Sequence, residues 1–332
     1  MDTPTHALAG YMIAKTGIGR DTGKWGTIAG VTAAVFPDVD LVLGFLGTEF
    51  SLRYHRNFTN SVFLIVPFSL VFAWLFVKIS KVRRFWTFFL IWIVEMLAHT
   101  FLDLATSYGT MILSPFFDTR FALDWLFIVD FFLVATFLIP LIALHVWKRK
   151  SELTARISVL LAGLYITLCA YNHSWALSLA KGYSDEKGLV AEVEASVPQP
   201  LSPFRWGNLI LTEGEIYQGF VNLIAVNEKA PPSGGSFLSR FFARYQPISR
   251  LQYRETERYD NSPWVERALK LDGVKTFYWF ARFPVARYRV GLNDSHKVEF
   301  FDLRFGTIDD IRPFVYVVDF DGEGKVTFQG FL

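Results

Sequence analysis

The chain has 332 residues, 52% of them hydrophobic and 34 of them phenylalanine, and carries a net charge of only +2 at neutral pH. With a positive mean hydropathy, it is more apolar than ordinary soluble domains, and its near-neutral charge, with no basic stripe interleaved with aromatics, excludes nucleic acid as a partner. The single cysteine, Cys169, lies in an apolar segment, which excludes an internal disulfide and a thiolate metal cluster.

The first residues do not form a cleavable signal, because Asp2 is acidic and no basic start precedes an apolar run. THALAGYMIAKTG (5–17) and WGTIAGVTAAVFPDVDLVLGFLG (25–47) are short and rich in Gly and Ala, so they are expected to pair as a tight helical hairpin. The runs 62–77, 85–104, 121–147 and 157–180 approach or exceed the roughly 20 residues that cross a bilayer. Pro67 and Pro140 inside two of them are tolerated in membrane helices.

After residue 182 the pattern turns water-soluble. WGNLILTEGEIYQGFVNLIA alternates around Glu213-Gly214 as a β-hairpin. Strands are also expected at VKTFYWFARF, ARYRVGLN, KVEFFDLRF and FVYVVDFDGEGKVTFQGF, and a helix capped by Ser262 with Pro263 at its first position. NEKAPPSGGSF (227–237) reads as a flexible loop. The expected fold is an α-helical integral membrane domain over 1–182, with about five to six embedded helices, followed by a small soluble, mainly antiparallel β domain over 183–332.

Basic residues set the orientation. Lys15, Arg20 and Lys24, then Lys78, Lys81, Arg83 and Arg84, then Lys148, Arg149, Lys150 and Arg156 fall in alternate connections, whereas the others carry only Arg53, Arg56 and Arg120. By the positive-inside rule the first set faces the cytoplasm and the C-terminal domain the outside.

Six metal-type side chains, His6, Asp38, Asp40, His55, His99 and Asp103, then fall near the outer ends of apolar segments, with Asp124 a further candidate. Each costs several kcal/mol in lipid unless paired, hydrated or bound to a cation. Glu95, His99 and Asp103 are spaced by four and share one helix face; Glu95, the deepest, is expected to orient His99 by accepting its second N–H. Taken singly, His6 also fits a helix cap, Asp38 and Asp40 beside Pro37 also fit a helix stop, and His55-Arg56 also fits an interfacial anchor. His145, His173 and His296 have no ligand partner at useful spacing and are read as structural.

MDTPTHALAG, FPDVD at 36–40, HRNFTNS at 55–61, AHTFLDLATSYGT at 98–110 and RFALDWLFIVD at 120–130 resemble, in order, the motifs of the YdjM-type family of membrane-bound metal-dependent hydrolases. The resemblance covers roughly the first 130 residues. It implies a bacterial cytoplasmic (inner) membrane location and a metal site at His6, Asp38, Asp40, His55, His99, Asp103 and Asp124. Family members commonly carry a histidine where HRNFTNS has Asn60, a weaker ligand that suits oxygen-liking cations.

The expected chemistry is hydrolysis assisted by a divalent ion, zinc foremost, with magnesium or manganese as alternatives. Asp40 or Asp103 would take the proton from water, and Arg56 would neutralise charge on a phosphoryl group. A site at the membrane boundary suits an amphiphilic or lipid-linked substrate among the membrane lipids, with a phosphoester the expected bond. The rival from another class is a non-catalytic membrane scaffold or binding protein with a degenerate metal site, which Asn60 favours.

Overall fold

The computed structural model describes residues 1–147, 151–226, 237–291, 295–306 and 314–332. Lys148, Arg149 and Lys150 of one predicted cytoplasmic connection, and residues 227–236 of the predicted loop, lie outside the described residues.

The N-terminal half is helical: α1 (Thr3–Ile13), α2 (Lys24–Val35), a 3-10 run over Phe36–Leu46, α3 (Thr48–Tyr54), α4 (Val62–Ser80), α5 (Phe85–Leu104), α6 (Phe131–Trp147) and α7 (Ser151–Lys187). Among the described residues, four helical segments are long and apolar enough to cross a membrane: Lys24–Leu46, Val62–Ser80, Phe85–Leu104 and Ser151–Lys187; Phe131–Leu144 is a shorter apolar helix. Large apolar side chains such as Val71, Trp74, Trp86, Leu160 and Leu164 point outward from these helices, as expected where lipid is the solvent.

The small residues of the first hairpin bring α1 and α2 into backbone contact. A Cβ on Gly10 would lie 2.4 Å from Ala34 Cβ, and one on Gly30 would lie 2.6 Å from Ala14 Cβ. Asp2 caps α1 by accepting from Thr5 N, with Pro4 in the first turn.

The run from 121 to 147 is not helical throughout: residues 106–130 turn and extend, tied by bridges Thr106–Leu126 and Thr110–Phe121, and α6 starts at Phe131. Asp130 explains the start, since its Oδ1 accepts from Phe132 N and Leu133 N, both at 3.0 Å. Such a cap satisfies two otherwise orphaned donors and overrides the apolar run before it.

By contacts the chain divides into two compact units, one of Met1–Gly44, Tyr54–Tyr171 and Pro200–Pro203, the other of Phe45–Arg53, Asn172–Gln199 and Phe204–Leu332. The second contains β1 (Val193–Pro198), β2 (Arg205–Leu211), β3 (Glu215–Asn222), α8 (Phe237–Ala243), β4 (Gln246–Pro247), β5 (Arg254–Glu257), α9 (Pro263–Ala268), α10 (Asp272–Phe280), β6 (Pro284–Val290), β7 (His296–Asp302), β8 (Tyr316–Phe320) and β9 (Val326–Phe331). β1 to β5 form one sheet, antiparallel except for the short β3–β4 pair, and β6 to β9 form a second, wholly antiparallel meander.

The hairpin about Glu213-Gly214 pairs β2 with β3, and Ser262 caps α9 by accepting from Trp264 N at 3.3 Å. VKTFYWFARF, expected as a strand, instead lies largely in α10. Gly273, Val274, Phe277 and Phe280 are its buried residues, a spacing that follows the helical period and lays one face on the core with Phe300, Val298 and Tyr316. His173 lies beside Trp206, and His296 stacks on Trp264, their ring centroids 3.9 Å apart; the His145 side chain lies outside the described residues.

Candidate metal centre

His99 and Asp103 sit one turn apart on α5, both fully buried in side chain, with His99 Nε2 3.2 Å from Asp103 Oδ2. α1 brings His6 to the same carboxylate, its Nε2 3.2 Å from Asp103 Oδ1. The 3-10 run after α2 supplies Asp38, whose Oδ1 lies 3.7 Å from His99 Nε2 and whose Oδ2 accepts from Thr3 Oγ1 at 2.6 Å. One ligand atom from each of His6, Asp38, His99 and Asp103 lies within 4.8 Å of the others, and all four residues are buried.

His99 is oriented by backbone. Its Nδ1 lies 2.6 Å from Ala34 O, so Nδ1 carries the proton and Nε2 turns its lone pair to the carboxylates. This corrects the role expected for Glu95, whose two carboxylate oxygens are buried with no hydrogen-bond partner and face Gly10 and Gly30.

The residues fit a divalent ion on their own geometry. His99 Nε2 and Asp103 Oδ2 are close, yet neither atom completes a hydrogen bond, and both are buried. Two such acceptor atoms facing one space cost free energy unless a cation lies between them. Two imidazoles and two carboxylates are a nitrogen and oxygen set that suits zinc and accommodates harder ions.

Asp103 Oδ1 also meets Arg56 Nη2 at 3.0 Å and the Met1 amino group. The Arg56 guanidinium donates further to Asp103 O at 3.2 Å and to Thr106 Oγ1 at 2.8 Å, and it lies against the Tyr108 ring. Arg56 is thus turned inward as a charge partner of Asp103.

Asp40, His55 and Asp124 are not in the group of four. Asp40 pairs with His55 instead, Oδ1 to Nδ1 at 2.7 Å, and its Oδ2 accepts from Arg56 N and Thr59 Oγ1. Asp38 and Asp40 separate because a 3-10 helix has three residues per turn, so positions two apart point about 120° away from each other. Asp124 lies in the stretch before α6 with left-handed backbone, φ 57°, and its neighbours Leu123 and Trp125 donate to Leu104 O and Ala105 O beside Asp103. Asn60 is buried; its Oδ1 accepts from Thr100 Oγ1 at 3.4 Å.

Sequence reasoning missed Arg120 as a positioning group. It donates to Gly109 O at 2.9 Å and to His55 O at 3.2 Å, clamping the His55-Arg56 turn to the segment after α5. No spacing rule points to it, because it acts through backbone carbonyls.

These features define a polytopic membrane protein with a buried His/Asp cluster. The chain belongs to the YdjM inner membrane protein family, whose family model matches residues 1–176. It is similar to the uncharacterized protein YfhP of Bacillus subtilis (strain 168), 24% identical over 333 residues that cover 96% of this chain and 90% of that one. No solved structure matches the chain.

Proposed function

We propose that the chain is a metal-dependent hydrolase of the membrane, acting on a phosphoester of a lipid or lipid-linked substrate at the outer face. The observation that carries this reading is the convergence of His6, Asp38, His99 and Asp103 within 4.8 Å in a buried site. These four would hold one divalent ion, zinc foremost. When bound, the ion would acidify water and polarise a phosphoryl oxygen.

The chain's own residues do the rest. Asp103 is fixed by Arg56, which together with the Met1 amino group neutralises its charge. Ala34 O sets the tautomer of His99, and Thr3 holds Asp38 by its second oxygen. The proposed outer-face location rests on the Lys and Arg distribution between connections. An acyl-bearing substrate would reach a site formed at the ends of apolar helices laterally, through lipid.

A second reading, a binding or scaffold protein with a degenerate site, is favoured by the Arg56 guanidinium already seated on Asp103. Hydrolysis separates the two. The purified, zinc-loaded protein should cleave a nitrophenyl phosphodiester or a phospholipid in mixed micelles and lose that activity on chelation. Full zinc occupancy with no turnover of either would favour the scaffold.

A further inference from the structure

The Asp40–His55 pair lies outside the group of four, and its geometry has a chemical consequence. A carboxylate only accepts, so the 2.7 Å contact from His55 Nδ1 to Asp40 Oδ1 places the ring proton on Nδ1. That leaves the Nε2 lone pair as the basic atom. Asp40 is held rigidly for this task, since its Oδ2 takes Arg56 N at 2.8 Å and Thr59 Oγ1 at 3.0 Å.

The backbone around His55 is fixed as well. Arg120 Nη2 donates to His55 O, Met111 N donates to Arg56 O at 2.9 Å, and the His55 ring meets Tyr108 edge-on at 5.4 Å. The pair adjoins the centre in sequence, since Arg56 reaches Asp103 and Asp40 follows Asp38 by two residues. Exposure separates the three histidines: the side chains of His6 and His99 are 0% exposed, whereas that of His55 is 12% exposed. Among them His55 is the one with side-chain surface open to the outside of the protein.

We infer that His55, oriented by Asp40, is the proton-transfer residue of the site rather than a metal ligand. This inference rests on the hydrolase reading. In the attack, an O–H bond of water breaks and an Nε2–H bond forms while the water oxygen bonds to phosphorus. The phosphorus bond to the leaving oxygen then breaks, and Nε2 returns the proton to that oxygen. The Asp40 carboxylate stabilises the imidazolium between the two transfers, as an orienting acid does in hydrolytic triads. Asp40 contacts the His55 ring and Arg120 its backbone carbonyl, while Arg56 and Arg120 both lie against Tyr108, which packs on the ring.

The test uses the full chain in detergent, with diethyl pyrocarbonate as the probe of unprotonated imidazole nitrogen and mass spectrometry to localise the adduct. His55 should be modified at the same rate with zinc bound and with zinc removed, and His55→Gln should retain full zinc. Asp40→Asn should slow the modification at least about tenfold, because an amide no longer enforces the Nδ1–H tautomer, with zinc uptake as the check on folding. Protection of His55 by zinc, together with loss of zinc from His55→Gln, would make it a ligand and overturn the inference. An unreactive His55 in both states would overturn it too, since a proton-transfer residue must be reachable. A wild-type chain that takes up no zinc would instead sink the hydrolase reading, a result separable from either of these.

Discussion

The imidazoles of His6 and His99 stack face to face, 3.7 Å between ring centroids and 21° between planes. They come from α1 and α5, and each directs Nε2 at a different oxygen of Asp103. Stacked rings that share one carboxylate leave both nitrogens facing the same small space, which suits a cation bound between rings and carboxylate better than a chain of ordinary hydrogen bonds.

Arg56→Ala should destabilise the metal-free protein by about 3–5 kcal/mol, since it removes the guanidinium from a fully buried carboxylate. Zinc should restore part of that loss by supplying a positive charge to Asp103. Thermal unfolding in detergent with and without zinc measures both effects. Equal losses in the two conditions would show that zinc and Arg56 do not share Asp103.

Asn60→His should change zinc affinity by less than about threefold, under ~1 kcal/mol. The Asn60 Oδ1 already accepts from Thr100 Oγ1 at 3.4 Å. Competition titration against a chelator reads this. A gain of an order of magnitude or more would bring position 60 into the ligand set and make Asn60 a true weakening of the site.

Gly30→Leu should separate α1 from α2, because even a Cβ there would meet Gly10 O of α1 at 3.2 Å and Ala14 Cβ, just past the end of α1, at 2.6 Å. Overpacking of this kind costs about 1–3 kcal/mol. His6 rides on α1, so zinc uptake should fall along with thermal stability. A variant that keeps wild-type zinc uptake would show that the α1–α2 contact does not position His6.

A reporter fused after Leu332 should read as extracytoplasmic, as the basic connections at 15–24 and 78–84 require. A cytoplasmic readout would reverse the orientation and place the site on the inner face.

Part of the fold and of the site is legible in the sequence, for physical reasons. His99 and Asp103 could be read from their spacing alone, because a four-residue interval on a long apolar helix fixes a shared face. The hairpin at Glu213-Gly214 and the Ser262-Pro263 helix start were equally local signals. Asp38 and Asp40 could not be told apart, since only the 3-10 geometry of Phe36–Leu46 sends one to His99 and the other to His55. The start of α6 was misplaced because the apolar run from 121 masked the Asp130 cap. VKTFYWFARF was misread because its aromatics favour strands, whereas Val274, Phe277 and Phe280 bury on a helical period. Arg120 left no trace in sequence, as its partners are the carbonyls of Gly109 and His55.

If His6, Asp38, His99 and Asp103 hold one divalent ion, the metal content per chain reports it. Wild-type protein purified with zinc and then dialysed should retain about one ion per chain, the stoichiometry of a single four-ligand site. His99→Ala and Asp103→Asn should insert into the membrane yet retain essentially none. A wild-type chain without stoichiometric metal, or folded variants that keep it, would contradict the account and leave the four residues as a structural network.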